Sequence, residues 1–289
     1  MSAVVEQAAG GVVAPTRRRR SRSATLGIGA VLVGIVVVVA VVSFVWLPYA
    51  PSDISGSRLA GPGAAHLLGT DKLGRDLLTQ LMIGARIALA VGIGSVAIGA
   101  LIGVTLGLLA AFASTWLDDT ISAALDIVIA FPTLLLAMLI VAAQGASLGS
   151  AILAIGLAMS AVVARLTRVL AKRILSQQYV TAARTSGTGW LGIVGRHILP
   201  NIWPTLSVNL ALQFGVAVLA EASLSYLGLG APPPNASWGR LLQEAQGTVS
   251  TAPVGAIAPG VALVVLVIGV NLVADGLRDV ADPTRRRAR

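Results

Sequence analysis

Long runs without a formal charge alternate along this chain with shorter polar stretches, and their lengths predict its elements. A helix needs roughly 20 apolar residues to cross about 30 Å of hydrocarbon. Ala24 to Leu47 gives 24 uncharged residues, and Ile87 to Leu117 a second run expected to end as a helix near Phe112. Trp116 then falls at an interface, with Asp118 and Asp119 in a short turn. Ile127 to Ala164 is 38 residues, which as one helix would reach about 57 Å, nearly twice the hydrocarbon thickness. It therefore divides into two spans, with the break at Gln144 to Ser150, where Gly145, Gly149 and polar side chains collect. Asn201 to Ala220 supplies a fifth span and Pro253 to Ala274 a sixth. The fold class is all-α, a polytopic membrane protein with six transmembrane helices.

Composition strengthens this reading. Of the 289 residues 56% are hydrophobic and only 11% charged, with a mean hydropathy of +0.86, far too apolar for an ordinary soluble domain. Ala24 to Leu47 exceeds the apolar core of a signal peptide and reads as a retained first span. Without cysteine, disulfides, thiolate metal sites and cysteine nucleophiles are excluded. The net charge of +9 comes from basic residues that sit between or beside the apolar runs. That placement suits anionic headgroups and topology, and not nucleic acid.

The basic residues also orient the spans, because cytoplasmic segments retain Lys and Arg. With the N-terminus inside, the inner segments hold 16 of them, among them Arg17 to Arg20, Arg165, Arg168, Lys172, Arg173, Arg184, Arg196 and Arg285 to Arg287. The outer segments hold five, Arg58, Lys72, Arg75, Arg86 and Arg240. Both termini are thus expected in the cytoplasm. The resulting organisation is a basic tail 1–23, a first helix 24–47, an extracytoplasmic segment 48–84, a five-helix core 85–277 with an inner loop 165–204 and an outer loop 230–252, and a basic tail 278–289.

The inner loop reads Tyr179-Val-Thr-Ala-Ala-Arg-Thr-Ser-Gly187, then Arg196-His-Ile-Leu-Pro200. This predicts a helix, a glycine joint at Gly187 and a second helix stopped by Pro200. Ala182 and Ala183 leave a smooth face that a partner backbone can approach, although an interfacial hairpin would use the same residues. In the outer segment, Thr70 or Asp71 can cap a short helix with Leu73, Leu77, Leu78, Leu81 and Met82 as its apolar stripe and Asp71 paired to Arg75 at i,i+4. His66 is a lone imidazole, well short of the three or four ligands a metal needs.

Polar groups inside spans are costly and therefore informative: Asp126, Asn209, Gln213, Glu221 and Asn271. Asp126 is expected to snorkel or cap at the inner end. Glu221, followed by Ser223 and Ser225 toward the outer end of the fifth helix, lines a passage, holds a gate, or packs helices. Asn209, Gln213, Glu221 and Ser225 are the pathway or gate candidates. Gly92, Gly99, Gly103 and Gly107 are expected to permit close helix packing.

The inner loop resembles the cytoplasmic EAA loop of ABC importer permeases, with small residues, a glycine and Leu199-Pro200 at matching spacing. Four further stretches are similar to the C-type subunit of the dipeptide, oligopeptide and nickel permease branch. They are His66-Leu-Leu-Gly-Thr-Asp-Lys-Leu-Gly-Arg-Asp76, Leu125-Asp-Ile-Val-Ile-Ala-Phe-Pro132, Glu221 to Gly230 with Pro232 to Pro234 and Ser237-Trp-Gly239, and Asn271 to Pro283. The resemblance runs from about Ala24 to Pro283. It implies a type I ABC importer permease fold and a coupling helix seated in a groove of an ATPase subunit, with contacts among Thr181, Ala182, Ala183, Arg184, Gly187, Leu199 and Pro200. Two departures stand out: Thr181 occupies the position of the family Glu, and Leu67 that of a usual proline.

The resemblance further implies a bacterial inner-membrane chain that works with a homologous B-type permease, one or two ATPase subunits and an extracytoplasmic solute-binding protein that delivers dipeptides or oligopeptides. No phosphate loop G-x-x-x-x-G-K-[ST] is present, since neither lysine follows a glycine. ATP and Mg are therefore expected on the partner ATPases, with no cofactor on this chain and no catalytic residue of its own. The rival reading is a secondary transporter or channel that runs without an ATPase; it lacks a convincing internal repeat and leaves the inner loop unexplained. A membrane-embedded hydrolase is weaker still, because His66 and His197 both fall in loops.

Overall fold

A computed structural model describes residues 21–232 and 236–281. The arginines at 17–20 and 285–289, Pro283, and Pro233 and Pro234 of the outer loop lie outside the described residues. The described residues form ten α-helices: α1 Ser21–Val45, α2 Leu77–Phe112, α3 Thr115–Ala130, α4 Thr133–Gln144, α5 Leu148–Leu175, α6 Gln178–Thr185, α7 Trp190–Ile193, α8 Leu199–Tyr226, α9 Trp238–Ala245 and α10 Val254–Ala281. A π-helical turn, Val194–Ile198, joins α7 to α8.

Among the described residues five helices are long and apolar enough to cross a membrane, and α3 with α4, bent by 89° at their junction, makes a sixth if the pair is taken as one broken span and not as a re-entrant loop. Taken as one span, the pair brings the count to the six expected from the apolar runs; several boundaries differ. The third span was expected to begin near Ile127, but two helices meet at Phe131 and Pro132. Proline forces the residue before it out of the helical region, and Phe131 is extended at φ −78°, ψ 132°. The next break falls where glycine and serine predicted it. Gly145 takes φ +88°, and Ser147 caps α5 by accepting from the Ser150 N–H at 3.0 Å.

Three local expectations need correction. Pro200 does not stop a helix; it lies in the first turn of α8, and residues 190–226 run on as one apolar helix. The ring of a proline collides with the carbonyl four residues earlier, and the wider π turn just before it provides the room. Asp71 and Arg75 pair as expected, but in a loop. The Asp71 carboxylate accepts from the backbone N–H of Leu73 (2.8 Å) and of Arg75 (2.9 Å), which closes a turn and leaves Asp76 to cap α2 through the Thr79 N–H at 2.8 Å. Asp118 belongs to the first turn of α3, not to a connecting turn.

The main seam joins α2 to α5. A Cβ at Gly103 would lie 2.6 Å from the Val163 Cβ, and one at Gly107 2.7 Å from the Thr167 Cβ, so only glycine lets the helices approach this closely. Gly92 instead faces Phe214 of α8. Val91, Ile155, Ala217 and Leu224 close the core between α2, α5 and α8, and Ala137 and Val141 add α4 to it. α1 lies outside this bundle against α10, with Gly269 against Leu32 and Val33. α2 also begins ten residues before the expected Ile87, and the charge it takes in is satisfied. Arg86 Nε donates to Ser43 Oγ at 2.5 Å, and its guanidinium sits 4.2 Å from the Phe44 ring centroid.

Candidate functional site

Two regions at opposite ends of the bundle hold the residues singled out from the sequence. At the basic end, Ser176 and Gln177 separate α5 from α6. Val180, fully buried, is the plug that seats α6 on Ala171, Ile193, Ile198 and Ile202, with Leu199 packed against the same cluster. The rest of α6 is open: Thr181, Ala182 and Arg184 are exposed and Ala183 half-buried. The helix ends where the Ser186 N–H reaches Ala182 O (3.0 Å) and the Thr188 N–H reaches Ala183 O (3.0 Å), with Gly187 between them at φ +85°. Nothing stands within 4 Å of a Cβ built on Gly187, so its backbone conformation and not space requires glycine there. The Arg184 guanidinium lies 5.8 Å from the Phe112 ring, and Phe112 meets Trp190 edge-on at 6.3 Å. Pro200 is exposed in the first turn of α8.

The opposite end is laced by side chains. Glu221 is 2% exposed. Its carboxylate accepts from Ser225 Oγ at 2.6 Å, and Ser237 is a second hydrogen-bonding neighbour. Ser237 also caps α9, accepting from the Arg240 N–H at 3.3 Å. Trp238 Nε1 donates to Leu81 O at 3.0 Å, and Gly239 lies against the Ala222 backbone with no room for a side chain. Glu221 thus joins α8 to the segment that carries α9. A cleft of about 310 Å³ lies beside it, lined by Ala146, Ser225, Gly228, Pro232, Arg240 and Gln243. Asn209 and Gln213 are half-buried farther down α8. Asn209 Oδ1 is buried without a hydrogen-bond partner among the described residues.

An ionic chain completes this end. Arg75 donates to Asp71 (2.6 Å) and to Glu244 (2.6 Å), and Arg240 donates to Glu244 (2.9 Å). His66 Nδ1 lies 3.0 Å from the Asp76 carboxylate, and its ring is 4.6 Å from that of Tyr49. The lone histidine therefore supports the cap of α2, and among the described residues no group of three or more His, Asp or Glu side chains could hold a metal ion.

The apolar runs gave no warning of the ionic contacts between α3 and α5. Asp118, 4% exposed, accepts from Arg168 at 2.5 and 2.7 Å and also pairs with Lys172. Asp126, expected to snorkel or cap, pairs with Arg165. The signal present in the sequence was the i,i+4 spacing of Arg168 and Lys172, which sets two cations on one face of α5.

Comparison with known proteins agrees with this architecture. Residues 103–287 match the family described as "Binding-protein-dependent transport system inner membrane component". The dipeptide transport system permease protein DppC of Alkalihalophilus pseudofirmus is 40% identical over 235 residues, 81% of this chain and 77% of its own. The glutathione transport system permease protein GsiD of Pectobacterium atrosepticum is 41% identical over 223 residues, 77% and 74% of the two chains. The di/tripeptide transport system permease protein DppC of Pseudomonas aeruginosa is 40% identical over 248 residues, 83% and 82%. Among solved structures, a chain of the MetNI methionine ABC transporter in inward-facing conformations superposes with a TM-score of 0.59 at 22% identity, over 70% of this chain and 96% of that one, and so shares the fold. On the family match and these relatives, the chain belongs to the family of inner-membrane components of binding-protein-dependent transport systems.

Proposed function

We propose that this chain is one of two transmembrane permease subunits in an ATP-driven peptide importer, forming half of the translocation pathway. The observation that carries the reading is α6: a short helix pinned by one buried side chain, Val180, and otherwise offering Thr181, Ala182, Arg184 and the Gly187 joint to the surroundings. Beyond Val180 its contacts within the described residues are light, Arg184 over the Phe112 ring at 5.8 Å and Tyr179 beside the His197 ring at 5.8 Å, and the rest of its surface is smooth and open. A groove on an ATPase subunit would cover it.

In this reading both termini and α6 are cytoplasmic, in line with the excess of basic residues at that end. ATP and Mg bind to one or two ATPase chains, while this chain carries no cofactor and catalyses no reaction. A homologous B-type permease completes the pore, and an extracytoplasmic binding protein delivers the cargo to the end that holds α9. Dipeptides and oligopeptides are the favoured cargo, because relatives near 40% identity are named for dipeptide, di/tripeptide and glutathione transport. ATP can drive the cycle only if the outward-facing arrangement makes better ATPase contacts than the inward-facing one, a population shift delivered through α6. Glu221, Ser225, Asn209 and Gln213 would then belong to the pathway or to its outer gate.

The test is affinity purification of the tagged chain from its native membrane beside a Gly187→Pro variant. A second permease and ATPases that accompany the wild type and are missing from the variant support the proposal. The chain recovered alone, and moving solute without ATP, would overturn it in favour of a secondary transporter.

A further inference from the structure

Only two residues of α3 are buried, Leu125 and Asp118. Leu125 rests against Ala161 and Ala164 of α5, and Asp118 at the foot of the helix is held by Arg168 and Lys172. Between these anchors and the neighbouring helices lies an apolar gap of about 440 Å³, lined among others by Ile102 and Leu106 of α2, Ile121 and Val128 of α3 and Leu157 of α5. At its far end α3 turns by 89° into α4 through Phe131 and Pro132. The helix therefore has a fixed foot, a thin apolar seam, open space beside it and a joint at the other end.

The foot is tied to a particular place. Arg168 and Lys172 lie one turn apart near the end of α5, and only Ser176 and Gln177 separate Leu175 from the start of α6. A displacement of α6 thus reaches α5 at once, and α3 through Asp118. The apolar seam can slide, because dispersion contacts have no fixed partner. The ionic contact cannot, since parting would strand a nearly buried carboxylate away from both its cations. Asp126 with Arg165, about half exposed on each side at 56% and 51%, is a looser second tie two turns along.

We infer that Asp118, through Arg168 and Lys172, is a positioning residue for transport, converting movement of α6 into a swing of α3 about the Phe131–Pro132 joint. The inference rests on the reading of α6 as the seat of an ATPase. It assigns the α3–α5 ionic contact to energy coupling and predicts that its loss separates ATP hydrolysis from solute movement.

The experiment uses the whole complex that accompanies the tagged chain, reconstituted in lipid vesicles together with its binding protein, with ATP hydrolysis and uptake of labelled dialanine measured together. Wild type without ATP-dependent uptake would overturn both the proposed function and this inference. With a coupled wild type, Asp118→Asn is expected to assemble, hydrolyse ATP near the wild-type rate and lose about 10-fold in uptake per ATP. Asp118→Glu recovers most of that loss. Uptake per ATP unchanged in Asp118→Asn overturns the inference alone.

Should Asp118→Asn fail to assemble, spin labels decide the matter with Asp118, Arg168 and Lys172 left intact, because the chain has no cysteine of its own. Labels at Ala123→Cys and Arg173→Cys, both exposed, should keep one distance with and without trapped nucleotide, while Ala123→Cys and Thr105→Cys change theirs. A distance between α3 and α5 that alters with nucleotide, or one between α3 and α2 that does not, contradicts the coupling role.

Discussion

The two ends of the bundle are built on opposite principles. The segment 46–76 and α9 are held by directional bonds: Asp71, Arg75, Glu244 and Arg240 form one ionic chain, Trp238 reaches Leu81, and Glu221 bonds Ser225. At the other end α6 is seated by Val180 in an apolar cluster, and most of its remaining side chains point away from the protein. One end pairs its charged groups internally and so defines its own shape. The other leaves most of α6 exposed, which under the proposed function is the surface that receives the motion of another protein. Damage to the first should appear in the stability of this chain, and damage to the second in the composition of the complex.

The largest effect should come from Val180→Asp, which places a carboxylate among Ala171, Ile193 and Ile198 at a cost of several kcal/mol unless α6 detaches. The ATPases should then be missing from the purified complex and uptake abolished; ATPases still present would mean that the seat of α6 lies elsewhere. Arg75→Gln at the opposite end leaves Asp71 and Glu244 short of their shared partner and should cost about 2 kcal/mol, below the range for a fully buried pair because this one is partly solvated. Thermal unfolding in detergent would register that loss with the ATPases still attached.

Ser225→Ala removes one donor from Glu221 and should cost about 1 kcal/mol, seen as faster amide exchange in residues 236–245. Ala182→Trp reverses the pattern. With its side chain at an exposed position, the unfolding free energy should change by less than about 0.5 kcal/mol, while binding of the ATPases is lost by steric conflict. A loss of stability in Ala182→Trp equal to that in Arg75→Gln would erase the contrast. Thr181→Glu, which supplies the carboxylate of the family pattern, should make the smallest change, strengthening ATPase binding by no more than about 1 kcal/mol, as for an exposed ion pair.

The spans were legible because bilayer thickness converts an uncharged run directly into a helix, and the Gln144–Ser150 break because glycine and serine carry local backbone preferences. The errors lie where local and tertiary rules compete. Pro132 and Pro200 are the same residue type, yet one ends a helix and the other lies in the first turn of one, since a preceding π turn relieves the clash at Pro200. Asp71 and Arg75 satisfy the helical i,i+4 spacing while forming a turn, because backbone N–H groups competed for the carboxylate. Of the candidate site, α6 and Gly187 could be placed from small residues and a turn signal. The burial of Glu221 and the pairing of Asp118 with residues 50 and 54 positions away could not, since both depend on which helix faces which.

The central claim is that ATP, bound to other chains, moves solute through a pore of which this chain is half. The most direct measurement is uptake of labelled dialanine into vesicles that contain the purified complex and its binding protein, with ATP supplied on the side of α6 or withheld. Uptake that requires ATP and disappears with Val180→Asp is the predicted result. Uptake that proceeds equally without ATP, down the gradient of solute alone, would contradict the account.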